Sequence, residues 1–221
     1  MRKIDKSVVL SSHYKTWEVG IEREGKNHKK YDSSNNKFYR DIVMNLFYCQ
    51  SGVCAYTESL LCNEKFYAES NWNAGSYPVN DEVKFFGELD HFNPELKADK
   101  AWLWSNLFMI HSDVNSVKVK GRKSVDSIMK PDEPGYDEFK LLFYFEKEHI
   151  FIPHPDLQSK DQDRVTYMLD TLGINHPTII ANRKGIIQPI LEQTKLTDKP
   201  YEEFVVNQFF TAFEMCKRKA N

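Results

Sequence analysis

Nothing in this sequence limits the fold as tightly as the polar residues set at the joints of apolar segments between Glu88 and Lys118. Glu88-Leu89-Asp90-His91-Phe92-Asn93-Pro94 is followed by Trp104-Ser105-Asn106-Leu107, then by His111-Ser112-Asp113-Val114-Asn115-Ser116-Val117-Lys118. Phe85 to Phe92 and Asn106 to His111 are short and apolar-rich, as strands are, and a helix is expected from Asp113 to Lys120 with Ser112 or Asp113 as its cap. The order strand, strand, helix closes one strand on an Asp-His pair, opens the next on an Asn, and puts a second Asn in the first helical turn. The expected fold class is α+β, with this unit embedded in a mainly helical single-domain protein.

The flanks supply the helices. Residues 1–35 are polar and read as irregular, ending in the loop cluster Asp32-Ser33-Ser34-Asn35-Asn36. Phe38, Ile42, Val43, Leu46 and Phe47 recur at three- and four-residue intervals, the spacing of one apolar helix face. The stretch 68–84 holds turn formers without a period. Pro131-Asp132-Glu133-Pro134-Gly135 breaks the chain and is read as the edge of the central unit. Beyond it, Leu141 to Glu146 and Ile150 to Ile152 suit a hairpin, Asp161 to Gly173 a helix that Gly173 terminates, and Pro200 to Lys219 an amphipathic helix with Phe204, Val205, Phe209, Phe213 and Cys216 on one face. This gives three segments packed as one unit: 1–50, 51–130 and 131–221.

Composition excludes some classes. Charged residues at 28% and hydrophobic ones at 41% are globular values. No apolar run approaches the roughly 20 residues that span a bilayer, and the start Met1-Arg2-Lys3-Ile4-Asp5-Lys6 lacks a signal peptide's apolar stretch, so a cytoplasmic protein without membrane contact is expected. The four cysteines, Cys49, Cys54, Cys62 and Cys216, then read as reduced thiols, with Cys216 a buried one. A net charge of −2 exerts no global pull on nucleic acid, so binding must come from local clusters: Lys26, Lys29, Lys30, Lys37 and Arg40, or Lys118, Lys120, Arg122 and Lys123. His13, His28, His149, His154 and His176 show no paired metal spacing and read as surface or turn residues.

The chemistry concentrates in the central unit. Phosphodiester hydrolysis needs a deprotonated water on one side of phosphorus and positive charge beside the leaving oxygen on the other. A histidine near its ordinary pKa can take the water's proton at neutral pH, which assigns His91 as general base. Asp90 and Asn115 offer a carboxylate and an amide oxygen to a divalent ion, and hard oxygen donors favour Mg2+ or Mn2+ over zinc. Glu88, two residues from Asp90, shares its strand face and either assists the ion or stays a surface carboxylate. Asn106 would bond backbone groups across the loop and orient His91. Lys118, Lys120, Arg122 and Lys123 lie where a phosphate bound at the ion would meet them.

Together these residues resemble the HNH nuclease motif, and more narrowly the PtuB-type HNH subunits of Septu and retron anti-phage systems. Cys54-Ala55-Tyr56-Thr57-Glu58 is similar to that group's Cys-Ala-Tyr-Cys-Glu, and Thr171-Leu172-Gly173-Ile174-Asn175 with Arg183 resembles its closing helices; the similarity covers about residues 45–190. The resemblance implies a ββα-metal core, endonuclease activity on DNA, tRNA or other RNA, and a PtuA-type ATPase partner; a homo-oligomer is also compatible. Relatives commonly hold a structural zinc with two Cys-x-x-Cys pairs, whereas the matching positions here are Cys54, Thr57, His111 and Val114, so no structural zinc is expected in that arrangement. A substitute set of Cys49, Cys54, Cys62 and His111 follows no known spacing. The crowd of Phe85, Phe86, Phe92, Trp102, Trp104 and Phe108 is expected to supply core in its place. The competing reading is an inactive HNH-fold protein that binds nucleic acid or acts as a scaffold, suggested by the missing zinc ligands.

Overall fold

A computed structural model describes the chain except residues 29–30, 33–35, 79–81, 117, 198–200 and 221, and except the side chains at 197, 202 and 220. Lys29 and Lys30 of the first basic cluster, Ser33, Ser34 and Asn35, the loop residues Asn80 and Asp81, Val117, and Pro200 at the expected start of the last helix lie outside the described residues.

The fold is α+β. Strand β1 (Glu88–His91) pairs antiparallel with β2 (Leu107–Ile110), placing Asp90 opposite Phe108 and His91 opposite Leu107. Both strands are shorter than the apolar runs suggested. Gly87, at φ +93°, turns the chain into β1 where an added Cβ would lie 2.5 Å from the Ile110 carbonyl oxygen, so only glycine fits. A one-turn helix, Ser112–Asn115, follows β2. Its cap is His111, whose Nδ1 accepts from the Asp113 N–H at 3.2 Å, rather than Ser112 or Asp113. The expected run to Lys120 does not form: Ser116 turns extended at ψ 152°, and the chain then folds inward and buries Lys120.

Helix α2 (Tyr39–Gln50) carries the expected apolar face, with Ile42, Val43, Leu46 and Phe47 fully buried, and packs on β2. Residues 1–35 are not irregular throughout, because α1 (Ser12–Arg23) forms behind an N-cap at Ser11. Its inner side mixes Tyr14 and Trp17 with the buried carboxylate of Glu18, which accepts from the Trp104 N–H at 2.6 Å; that charge interrupts the apolar period.

The hairpin forms as expected from β3 (Leu142–Phe145) and β4 (Ile150–Pro153), paired Leu142 to Pro153 and Phe145 to Ile150. The helix Ser159–Thr171 packs on β4 and ends at Gly173 (φ +60°), where the N–H groups of Gly173 and Ile174 close back onto Asp170 and Leu169. The longest helix, Pro177–Thr197, carries Arg183, which the resemblance places in a closing helix; its bounds follow from no local period, and Pro189 lies inside it. The last helix spans only Phe210–Ala220; Phe209 at φ +55° precedes it, and Val205 is fully exposed rather than part of its apolar face.

One cluster of buried side chains runs from Met1 to Cys216. Pro131 to Gly135 packs against the N-terminal segment: Ile4 donates to the Pro131 carbonyl at 2.8 Å, Lys3 to that of Pro134 at 2.8 Å, and Lys6 pairs with Asp132 at 3.3 Å. Of the aromatic residues around β1 and β2, Phe92, Trp102, Trp104 and Phe108 are buried and Phe85 half-buried, while Phe86 is 78% exposed. Among the described residues no helix is long and apolar enough to cross a membrane.

Candidate catalytic cleft

Beside the β1–β2 hairpin opens a cleft of about 520 Å³. His91, Asp90 and Asn115 all line it, so the strand, strand, helix order brings the three together. His91 is 4% exposed, and its Nε2 donates to the Ala101 carbonyl at 2.7 Å. A carbonyl can only accept, so the neutral ring carries its proton on Nε2 and its lone pair on Nδ1. Burial pushes the imidazole below the ordinary histidine value; the Ala101 bond works against that shift and the Lys97 charge reinforces it. The ring is thus unprotonated at neutral pH.

Asp90 is 5% exposed and held from behind. The Tyr56 hydroxyl donates to its Oδ2 at 2.6 Å, and the Lys120 ammonium lies 2.9 Å from both oxygens while also donating to the His91 carbonyl at 2.8 Å. Lys120 was expected to meet nucleic acid; fully buried and absent from the cleft wall, it instead anchors Asp90. A carboxylate offers about four lone-pair sites, and these three contacts leave one on Oδ1. Asn115 donates its Nδ2 to Glu88 at 2.6 Å, which leaves Oδ1 as acceptor and makes Glu88 a partner of the amide.

Asn106 is buried and acts on the loop after β1: its Oδ1 accepts from the Asn93 N–H at 2.8 Å and its Nδ2 donates to the Asn93 carbonyl at 3.0 Å. It pins the backbone two residues beyond His91 and does not touch the imidazole. Of the other expected phosphate contacts, Arg122 lines the cleft; Lys118 lines a separate small cavity with Asp170 and His176, and Lys123 is exposed outside the cleft wall.

The zinc-equivalent positions are filled differently. The Cys54 thiol accepts from the N–H groups of Thr57 at 3.4 Å and His111 at 3.3 Å, and Val114 is buried. Among the described residues no three His, Cys, Asp or Glu side chains gather to hold a metal, so Cys49, Cys54, Cys62 and His111 form no substitute set. Nor are all the remaining histidines at the surface. His149 is buried in the second hairpin, and buried His28 accepts the Trp102 N–H on Nδ1 at 3.0 Å while its Nε2 meets Glu22 at 2.8 Å.

Three cleft features were missed from sequence. Lys97 reaches the cleft because Asn93 caps a short turn opened by Pro94 (Pro94–Lys97), a signal readable in the sequence. Tyr31 belongs to a segment with no local period, and the role of Tyr56 depends on a contact with Asp90 34 residues away. The chain matches no protein-family model and no curated protein.

Proposed function

We propose that this chain is a metal-dependent HNH-type endonuclease acting on nucleic acid. The observation that carries the reading is the single cleft lined by His91, Asp90 and Asn115, with the imidazole held by Nε2 so that Nδ1 is left as the base. In this reading His91 takes the proton of the attacking water, its buried ring being unprotonated at neutral pH. Asn106 keeps the following loop in place, and Lys120 with Tyr56 keeps Asp90 oriented.

The donors fit a hard divalent ion. Asp90 retains one free lone pair and Asn115 its amide oxygen, and Mg2+ or Mn2+ takes few protein oxygens and keeps several waters. Held there, such an ion would supply positive charge for the leaving oxyanion. Arg122 and Lys97 give the cleft wall two cations for the phosphate backbone.

Cutting of supercoiled plasmid and of total RNA in Mg2+ or Mn2+ tests the proposal, comparing wild type with His91→Ala. A loss of about 10²–10⁴-fold is expected on removing the base; equal rates would refute it. The second reading, an inactive binding protein on the same frame, draws on the Lys120 ammonium that touches both Asp90 oxygens. It predicts nucleic-acid binding that neither Mg2+ nor His91→Ala alters. The PtuA-type ATPase partner is a further proposal from the resemblance, and co-purification from the native host tests it.

A further inference from the structure

The N-terminal segment is tied to the frame of the cleft. His28 donates its N–H to the Asp99 carbonyl at 2.8 Å and accepts the Trp102 N–H, while the neighbouring Ala101 carbonyl holds His91. Three residues after His28, the Tyr31 ring stacks on Trp102 (centroids 5.0 Å apart, planes at 22°) and meets His91 edge-on at 5.1 Å. The Lys97 ammonium lies 4.4 Å from its centroid. The ring is thus already partnered, and what Tyr31 can offer a ligand in the cleft it lines is its hydroxyl, which has no hydrogen-bond partner among the described residues.

We propose that Tyr31 contacts the substrate, its phenol donating a hydrogen bond to a non-bridging oxygen of the phosphodiester. The inference rests on the phosphodiester reading above. The geometry suits it: the residue shares the cleft wall with His91, Asp90 and Arg122, so a phosphate facing the base and the cation lies in the same space as the phenol. The group is a donor and not a second base. Burial first, then Tyr39 and the carboxylates of Glu88 and Asp90, push it up to about 12, so it keeps its proton at neutral pH. The donor adds to charge stabilisation that Arg122 and Lys97 supply as exposed cations.

The test uses the full chain, alone and with the proteins that co-purify with it, and compares wild type, His91→Ala and Tyr31→Phe on plasmid and total RNA in Mg2+ and in Mn2+. Tyr31→Phe keeps the ring contacts and removes one donor, so kcat should fall about 10- to 100-fold with KM changed less than about 3-fold. The melting temperature and the acid limb of the pH profile should stay at their wild-type positions. Wild-type kcat in Tyr31→Phe, where His91→Ala is dead, overturns this inference and leaves the nuclease reading standing. A loss accompanied by a displaced acid limb or lower melting temperature also overturns it, since Tyr31 would then act through His91 or through packing. If wild type cuts no faster than His91→Ala, the nuclease reading falls and this inference with it.

Discussion

Burial decides what His91 and Lys120 are for. His91 sits below its ordinary pKa because water is kept from the ring, so the folded chain binds its proton less readily than the unfolded chain, whose value is ~6.5. Two effects follow with the same sign: under the proposed nuclease function, activity should persist as pH falls through ~6.5, its acid limb centred lower, and stability unaffected above that range should decline below it. A limb centred above ~6.5 in a pH–rate profile would show that another group is the base. Lys120 reads as a surface cation among neighbours of its own sign, yet it is the counter-charge of a buried carboxylate. Lys120→Met should cost about 3–5 kcal/mol in urea unfolding because it leaves Asp90 without its buried cation; a cost below about 1 kcal/mol would mean that solvent screens the pair.

At the scale of elements, asparagine pins recur. Asn106 holds both backbone groups of Asn93, and Asn175 does the same to Phe151, accepting its N–H at 2.9 Å and donating to its carbonyl at 2.7 Å. Asn106→Ala or Asn175→Ala should each cost about 1–3 kcal/mol by stranding half-buried backbone groups, and under the proposed function only Asn106→Ala should also slow cleavage, which thermal melts beside the cutting assay would separate. The helix Pro177–Thr197 offers the opposite sign. Gly185 is exposed, helical and free of any atom within 4 Å of an added Cβ, so Gly185→Ala should raise stability by about 1 kcal/mol; an unchanged melting temperature would contradict that assignment. The length of that helix was not legible, because the burial of Ile179, Arg183, Ile187 and Leu191 that supports it outweighs one glycine and one exposed proline. The second hairpin and the helix ending at Gly173 were legible because turn chemistry and period agree there.

Across the whole molecule, the C-terminal helix belongs to the common core. Ala212, Phe213, Met215 and Cys216 are buried, and Lys219 donates to the Tyr144 carbonyl at 2.7 Å. Large apolar side chains contribute about 1.5–3 kcal/mol each on burial, so deleting 210–221 should remove more than a marginal stability and abolish the near-UV dichroism of the folded chain. A truncated chain that keeps that spectrum would show the helix to be dispensable; partner contacts are better probed by exposed single substitutions. By itself the sequence determined the order of polar residues at the joints of β1, β2 and the helix after them, because alternation, caps and strand ends act between near neighbours. Only the tertiary structure decided that Tyr31 shares a wall with His91, that Tyr56 and Lys120 hold Asp90, and that Cys54 is satisfied by two backbone N–H groups. Those contacts join residues far apart along the chain, and their cost in chain entropy is offset only once the common core has closed.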